Sequence, residues 1–348
     1  MSDIRIDLYS DTHTRPTPDM RRFMSMAEVG DEQQRADPTV NRLQEMVAAL
    51  LGKEAAVYLP SGTMCNQIAF RVHCRPGDEI IMDWTGHPRN SETAGVAALT
   101  GAQIYPVSGE RGIFSAAQVE AAVRYRSHHS PRSRVVSVEQ TSNSGGGAIW
   151  PLETMREVCA VAERHGLARH MDGARLLNAV VASGIPAKEY AASFDSVWID
   201  FSKGLGAPVG AALAGSSEFI EEAWRWKHQF GGAMRQAGII AAGAIYALEH
   251  HVERLAEDHA NAQILARGLV EIEGIAVEPV ETNLVFFDVA GLGTTADRFV
   301  EAARERGLHI GANTSTRIRA VTHLDVSGAQ IEEALEILHN VANEAARR

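Results

Sequence analysis

Seven short apolar runs, at 55–59, 78–82, 103–107, 134–139, 167–171, 195–201 and 210–214, alternate with segments of helical periodicity. That alternation constrains the fold more than any other feature of the chain. Short apolar runs bounded by polar residues read as strands buried on both faces. Between most of them lie stretches with apolar residues three and four apart, as in Met64–Cys74, Ala116–Tyr125 and Leu152–His165. Strand and helix in alternation predict an α/β domain with a mostly parallel, seven-stranded sheet covered on both faces. The sixth and seventh runs are too close for a crossover helix and join through Ser202–Pro208. One strand should therefore run antiparallel.

The pattern changes after about residue 235. A long helix-like region, Ala237–Glu271, contains few breakers. Strand-like Ala276–Pro279 and Asn283–Val289 follow, then helix over Ala296–Arg306, strand over Thr316–Val321 and helix over Ser327–Ala345. This order predicts a smaller C-terminal α/β domain. The expected division is an N-terminal arm (1–20), a large domain (21–245) and a small domain (246–348). The arm should be extended, because Pro16 and Pro18 disfavour helix. A chain of 348 residues that is 45% hydrophobic can fill two such cores.

A formal net charge of -11, with no lysine/arginine block, argues against nucleic acid or anionic membrane as the main partner. No segment approaches the ~20 apolar residues of a membrane helix, and Met1–Asp7 begins no signal-peptide-like stretch. Cys65, Cys74 and Cys159 are an odd number in a large chain. They read as reduced thiols of a cytoplasmic protein, with Cys159 packed inside a helix. Neither GxGxxG nor GxxxxGK[ST] occurs, so dinucleotide-binding and P-loop chemistry are not indicated.

The chemical signal lies at strand ends. Lys203 follows the sixth run and is followed at once by glycines, in Ser202-Lys-Gly-Leu-Gly-Ala-Pro208. An isolated lysine is ordinarily solvated. Here Asp172 and Arg175 also close a strand, in His170-Met-Asp-Gly-Ala-Arg175. A lysine able to form a Schiff base, with an acid able to keep a pyridinium nitrogen protonated, is the minimum equipment for pyridoxal phosphate (PLP) chemistry. Asp172 could instead cap a helix, and Arg175 could form a surface ion pair. Ser61, Gly62 and Thr63 begin a helix directly after a strand, where free N–H groups and the positive helix end can hold a phosphate. His87 lies just past a strand end and can stack on a ring or move a proton. His170, Asp172, His87 and Glu92 lack the tight spacing of a metal motif, and no metal is expected.

With these elements in place, the sequence resembles the low-specificity L-threonine aldolases, within the β-eliminating lyase group of fold-type-I PLP enzymes. The resemblance runs from Ile6 to about Val326. It is carried by Ser10-Asp-Thr-His-Thr-Arg-Pro16, Ala27-Glu-Val-Gly-Asp31, Asp37-Pro-Thr-Val-Asn41, Pro60–Met64, His87 with Glu92, His170–Arg175, Ser202–Pro208, Gly232-Ala-Met-Arg-Gln-Ala-Gly238 and Arg319-Ala-Val-Thr-His-Leu-Asp325. It implies an aspartate-aminotransferase-like fold and a homotetramer, a dimer of dimers with active sites shared between subunits. By position it makes Lys203 the Schiff-base lysine, Asp172 the pyridinium partner and His87 the stacked histidine. Gly62 and Thr63 match the phosphate cradle, and Arg235 matches an arginine given to a neighbour's cofactor phosphate. Ser10, Arg175 and Arg319 match the groups that hold a substrate carboxylate. His129 sits where relatives place a histidine near the substrate hydroxyl.

The chain departs from the family pattern at several places. Gln34-Arg35 stands for Tyr-Gly, His13 for valine, Glu139-Gln-Thr-Ser-Asn143 for Glu-Asn-Thr-His-Asn, and Pro88-Arg-Asn-Ser91 for an aromatic stretch. Arg35 and Arg89 add positive charge that could draw an anionic substrate side chain. The expected reaction is retro-aldol cleavage of a β-hydroxy-α-amino acid, threonine-like or phenylserine-like, to glycine and an aldehyde. β-Elimination, transamination or racemisation of another amino acid is the alternative within PLP chemistry. A non-catalytic PLP-binding protein is the alternative outside it.

Overall fold

The computed structural model describes residues 4–345; Met1–Asp3 of the expected arm and 346–348 of the small domain lie outside the described residues. The chain opens with β1 (Ile6–Asp7). It then lays down β2 (Ala55–Leu59), β3 (Asp78–Asp83), β4 (Gln103–Val107), β5 (Arg132–Glu139), β6 (Ala168–Gly173), β7 (Ser196–Asp200) and β8 (Ala211–Gly215). These last seven form one sheet in the order β2-β8-β7-β6-β5-β3-β4. All pairs are parallel except those of β8, which runs antiparallel to both β7 and β2. The expected antiparallel strand is therefore the seventh, and β2 is an edge strand attached through β8 alone.

Alternation of side chains sorts this sheet into two buried faces. Tyr58, Val136, Val138, Met171, Val197 and Ile199 pack with Leu43, Val47 and Leu51 of the helix Pro38–Leu51. Val57, Leu59, Trp198 and Leu213 face the other way, onto Cys65, Ile68 and Ala69 of the helix Gly62–His73 and onto Phe219 and Ala223. Cys65, Cys74 and Cys159 are buried free thiols.

The C-terminal part adds β9 (Ala276–Val277), β10 (Leu284–Asp288), β11 (Leu308–His309), β12 (Gly311–Ala312) and β13 (Arg317–Val321). Four of these form an antiparallel sheet ordered β12-β13-β10-β9. Val285, Phe287, Ile318 and Ala320 of this sheet meet Leu265, Phe299, Ile331 and Leu338 from three helices in a second core. Ile6 and Leu8 belong to that core, and β1 pairs parallel with β11.

Two expectations are corrected here. Residues 4–20 do not run extended throughout. Ile6–Leu8 are built into the second core, and Pro18 begins the helix Pro18–Ser25. Thr17 caps that helix by accepting from Met20 N. Proline suits the first helical position, where its missing N–H is not needed. The region Ala237–Glu271 is two helices, Gly238–His250 and Leu255–Val270. The chain turns between them without glycine or proline to mark the break.

Candidate active site

The parallel strands of the main sheet all finish at one edge, where α/β sheets receive their ligands. Beyond that edge lies a cavity of about 470 Å³. A larger groove, about 1200 Å³, opens at the opposite edge around Lys53, Arg134, Arg169 and Asp195. The strands begin there, and Arg169 is paired with Asp195. The smaller cavity holds the convergent chemistry.

After β2, Ser61 caps the helix Gly62–His73 by accepting from Met64 N at 3.2 Å. The N–H groups of Gly62 and Thr63 precede the first helical bond and have no acceptor among the described residues. A Cβ on Gly62 would come within 2.2 Å of the Trp198 ring. Only glycine allows the helix start to sit this close to β7.

Asp172 closes β6 and is buried. Its Oδ2 accepts from Asn66 Nδ2 at 2.9 Å and its Oδ1 from Ala174 N at 3.1 Å. Burial pushes its carboxyl up, against the pull of Lys203 and Asn66. Asn66 is itself fixed, because its Oδ1 accepts from Trp198 Nε1 at 2.7 Å and faces His170 Nε2 at 3.0 Å. Asn66 Nδ2 and His87 Nδ1 both meet Glu92 Oε1, at 2.8 and 2.9 Å. The contact with Glu92 raises the His87 imidazole, opposed by burial. Glu139, last in β5 and level with Asp172 in the sheet, accepts from the backbone N–H groups of His87 and Asn143. Burial first, then the Asp172 charge, pushes Glu139 up to about 7.

Lys203 stands on the loop between β7 and β8, with Nζ 3.3 Å from Asp200 Oδ2. Its backbone carbonyl accepts from Thr14 Oγ1 at 2.7 Å. The N-terminal segment therefore reaches over the lysine loop.

Arg175 lies in a two-pronged ion pair with the buried Asp11. Burial alone would raise Asp11, but Arg175 holds it well below the usual carboxylate range. Arg319, on β13, donates to Asn143 Oδ1 at 3.4 Å and to Tyr9 O at 3.2 Å. It has no carboxylate partner among the described residues, and burial followed by the nearby Arg175 charge lowers it. A half-buried cation beside a second cation is a seat for an anion. Ser10 Oγ accepts from Thr12 N and Thr12 Oγ1, which leaves its own proton free to donate.

Nine predicted site residues line this cavity: Ser10, Ser61, Gly62, Thr63, His87, Asp172, Arg175, Lys203 and Arg319. Two do not. His129 lies on an exposed loop, its N–H donating to Ser127 Oγ. Arg235 points outward to Asp31 at 2.8 Å. The expected charge near the pocket is corrected as well. Arg35 pairs with Glu221 and lies over Trp224, and Arg89 donates to Trp84 O while stacking on that ring. Neither lines the cavity. Sequence reasoning missed Asp11, Asn66 and Glu139 as site residues. Glu139 carried a signal, as the last residue of a strand run; Asp11 and Asn66 owe their roles to partners distant in sequence.

The donor set fits PLP. Free N–H groups and hydroxyls at a helix start suit its phosphate. A buried carboxylate suits its ring nitrogen, and an amine with a flanking imidazole suits its aldehyde and ring.

The β-eliminating lyase family model matches residues 7–291. The chain is 40% identical over 337 residues to low-specificity L-threonine aldolase 1 of Arabidopsis thaliana, covering 95% of this chain and 94% of that protein. It is 42% identical to the low specificity L-threonine aldolase of Escherichia coli K12, covering 94% and 96%. Its fold superposes on Leishmania major threonine aldolase with a TM-score of 0.84 at 21% identity, covering 97% and 99%.

Proposed function

The chain belongs to the β-eliminating lyase family, and on that premise we propose that it is a PLP-dependent aldolase cleaving a β-hydroxy-α-amino acid to glycine and an aldehyde. The observation that carries the reading is the cavity itself. Lys203 and Asp172 share it with Arg319, a cation lacking a carboxylate partner among the described residues.

When bound, PLP supplies an electron sink for charge developing at the substrate α-carbon. The residues of the chain do the rest. Gly62 and Thr63 N–H groups, with the Ser61 and Thr63 hydroxyls, hold the phosphate. Asp172 keeps a proton on the ring nitrogen, and that cation offsets the cost of the buried carboxylate. Lys203 carries the cofactor between turnovers. Arg175, Arg319 and Ser10 grip the substrate carboxylate and so set the direction of the Cα–Cβ bond. Holding that bond in its reactive orientation can account for about 7–11 kcal/mol of the barrier at most. His87, its Nδ1 fixed by Glu92, presents Nε2 to take the β-hydroxyl proton.

The resemblance gives Arg235 to a neighbouring subunit's cofactor phosphate, and its position outside the cavity of its own chain, paired with Asp31, fits a homotetramer in which it reaches a neighbour. Buried thiols and the lack, among the described residues, of a helix able to cross a membrane are compatible with a cytoplasmic setting.

The test measures glycine release and kcat/KM with L-threonine, a phenylserine and an acidic β-hydroxy amino acid. Glycine from threonine or the phenylserine supports the reading, with little from the acidic substrate because Arg35 and Arg89 are engaged elsewhere. Release of no glycine from any of the three overturns it. Borohydride reduction and peptide mapping should place the pyridoxyl group on Lys203.

A further inference from the structure

Asp7, His13 and His309 come from opposite ends of the chain and meet at its surface. β1 and β11 run in parallel with Asp7 level with His309. The short turn Asp11–His13 then folds back over them. His13 Nδ1 lies 2.9 Å from Asp7 Oδ2, and His309 Nδ1 lies 3.4 Å from Asp7 Oδ1. Both imidazoles stack on the Tyr9 ring, with centroids 5.2 and 4.6 Å away, which fixes their planes. Three ligand atoms, one from each residue, lie within 4.8 Å of one another.

Two imidazole nitrogens and one carboxylate are the donors of an open three-ligand zinc site. Ligands about 2.1 Å from a tetrahedral ion stand about 3.4 Å apart; here the two imidazoles approach different oxygens of Asp7, and the three ligand atoms lie within 4.8 Å of one another, so small side-chain shifts bring them onto one ion. An all-oxygen cation such as Ca²⁺ or Mg²⁺ would not select two imidazoles. We propose that Asp7, His13 and His309 form a binding site for a divalent transition cation, Zn²⁺ in particular, with water completing the coordination. Asp7 and His13 are partly exposed, so the ion enters from solvent. His13 is the residue that stands where the family pattern has valine, so this ligand is a property of this chain.

The site lies against the carboxylate grip. Between Asp7 and His13 run Tyr9, whose carbonyl accepts from Arg319, and Asp11, which holds Arg175. An ion joining Asp7 and His13 to His309 would clamp this segment to β11.

The experiment strips the holoenzyme with a chelator and returns Zn²⁺ under equilibrium dialysis. Metal per chain and thermal midpoint are read for wild type, His13→Ala and His309→Gln. The expected result is one strongly held Zn²⁺ per chain with a raised midpoint. Each variant should bind at least about tenfold more weakly and lose the shift. Wild type that holds no Zn²⁺ in the micromolar range, or either variant that holds it as wild type does, overturns the proposal. Neither readout depends on aldolase activity.

Discussion

Asp11 and Arg175 stand 164 residues apart in sequence, and both prongs of their ion pair measure 2.7 Å. The pair is almost wholly buried. It joins the N-terminal segment, which belongs to the second core, to the strand-end chemistry of the first. Removing one partner of a buried pair leaves an uncompensated charge. Asp11→Asn should therefore destabilise the protein by about 3 kcal/mol, seen as a lower thermal midpoint. It should also raise KM for the amino acid. An unchanged midpoint would show that the pair is dispensable.

Arg319 has the opposite character: among the described residues it has no carboxylate partner, and the proposed function makes the substrate supply one. Arg319→Ala should raise KM by roughly 10- to 100-fold, the worth of a charge-assisted hydrogen bond, with a smaller effect on kcat. Arg319→Lys should recover part of the loss, because it keeps charge but not the two-pronged geometry. Steady-state kinetics of both variants decide this. A fall in kcat alone would place Arg319 at the reacting centre instead.

Asp172→Asn keeps the shape of the side chain and removes its charge. The cofactor should remain bound, read from its visible absorbance, while turnover falls by about 100-fold or more, the scale of a lost electrostatic stabiliser. Turnover at the wild-type rate would remove Asp172 from the mechanism.

Strand ends were the legible part of this molecule. Buried strands are continuous apolar runs, so the seven main strands lie within two residues of their expected bounds, and Lys203, Asp172 and Ser61–Thr63 fall where those runs stop. β11 and β12, two residues each, are too short to leave a pattern. Pro18 misled because the residue that breaks a helix interior also suits a helix start. Asn66 and Asp11 stayed hidden for another reason. Each is an ordinary polar residue until the fold brings Asp172 or Arg175 against it. The outward turn of Arg35 and Arg89 depends on the rings of Trp224 and Trp84, which no spacing rule connects to them.

His170 and His73 both meet the Ser196 hydroxyl at 2.8 Å. With His170 Nε2 donating to Asn66, its Nδ1 accepts from Ser196, and Ser196 accepts from His73. Both imidazoles are then neutral. Burial lowers His170 to about 3 and His73 to about 4, from an ordinary 6.5. A depressed folded-state value means that their contribution to stability is complete above about pH 6.5 and is lost as pH falls towards 3–4. Each histidine should add a slope of about 1.4 kcal/mol per pH unit inside that window. Denaturant melts from pH 7 to pH 4.5 should show falling stability, and His170→Gln should flatten the fall. An unaltered slope in that variant would mean that His170 binds its proton alike in the folded and unfolded states, so that burial does not lower it.

The position of β8 has a consequence for how the chain is made. β2 is hydrogen-bonded to the rest of the sheet only through β8, whose residues are 211–215. A nascent chain that stops short of residue 211 carries β2 with no strand to pair with. Ser10 and Asp11 wait longer still, because β1 finds its partner only when Leu308 and His309 emerge. Contacts this distant along the chain are slow to close. The pocket is therefore among the last parts of the molecule to exist during synthesis, and a chain released early has no place to capture its cofactor.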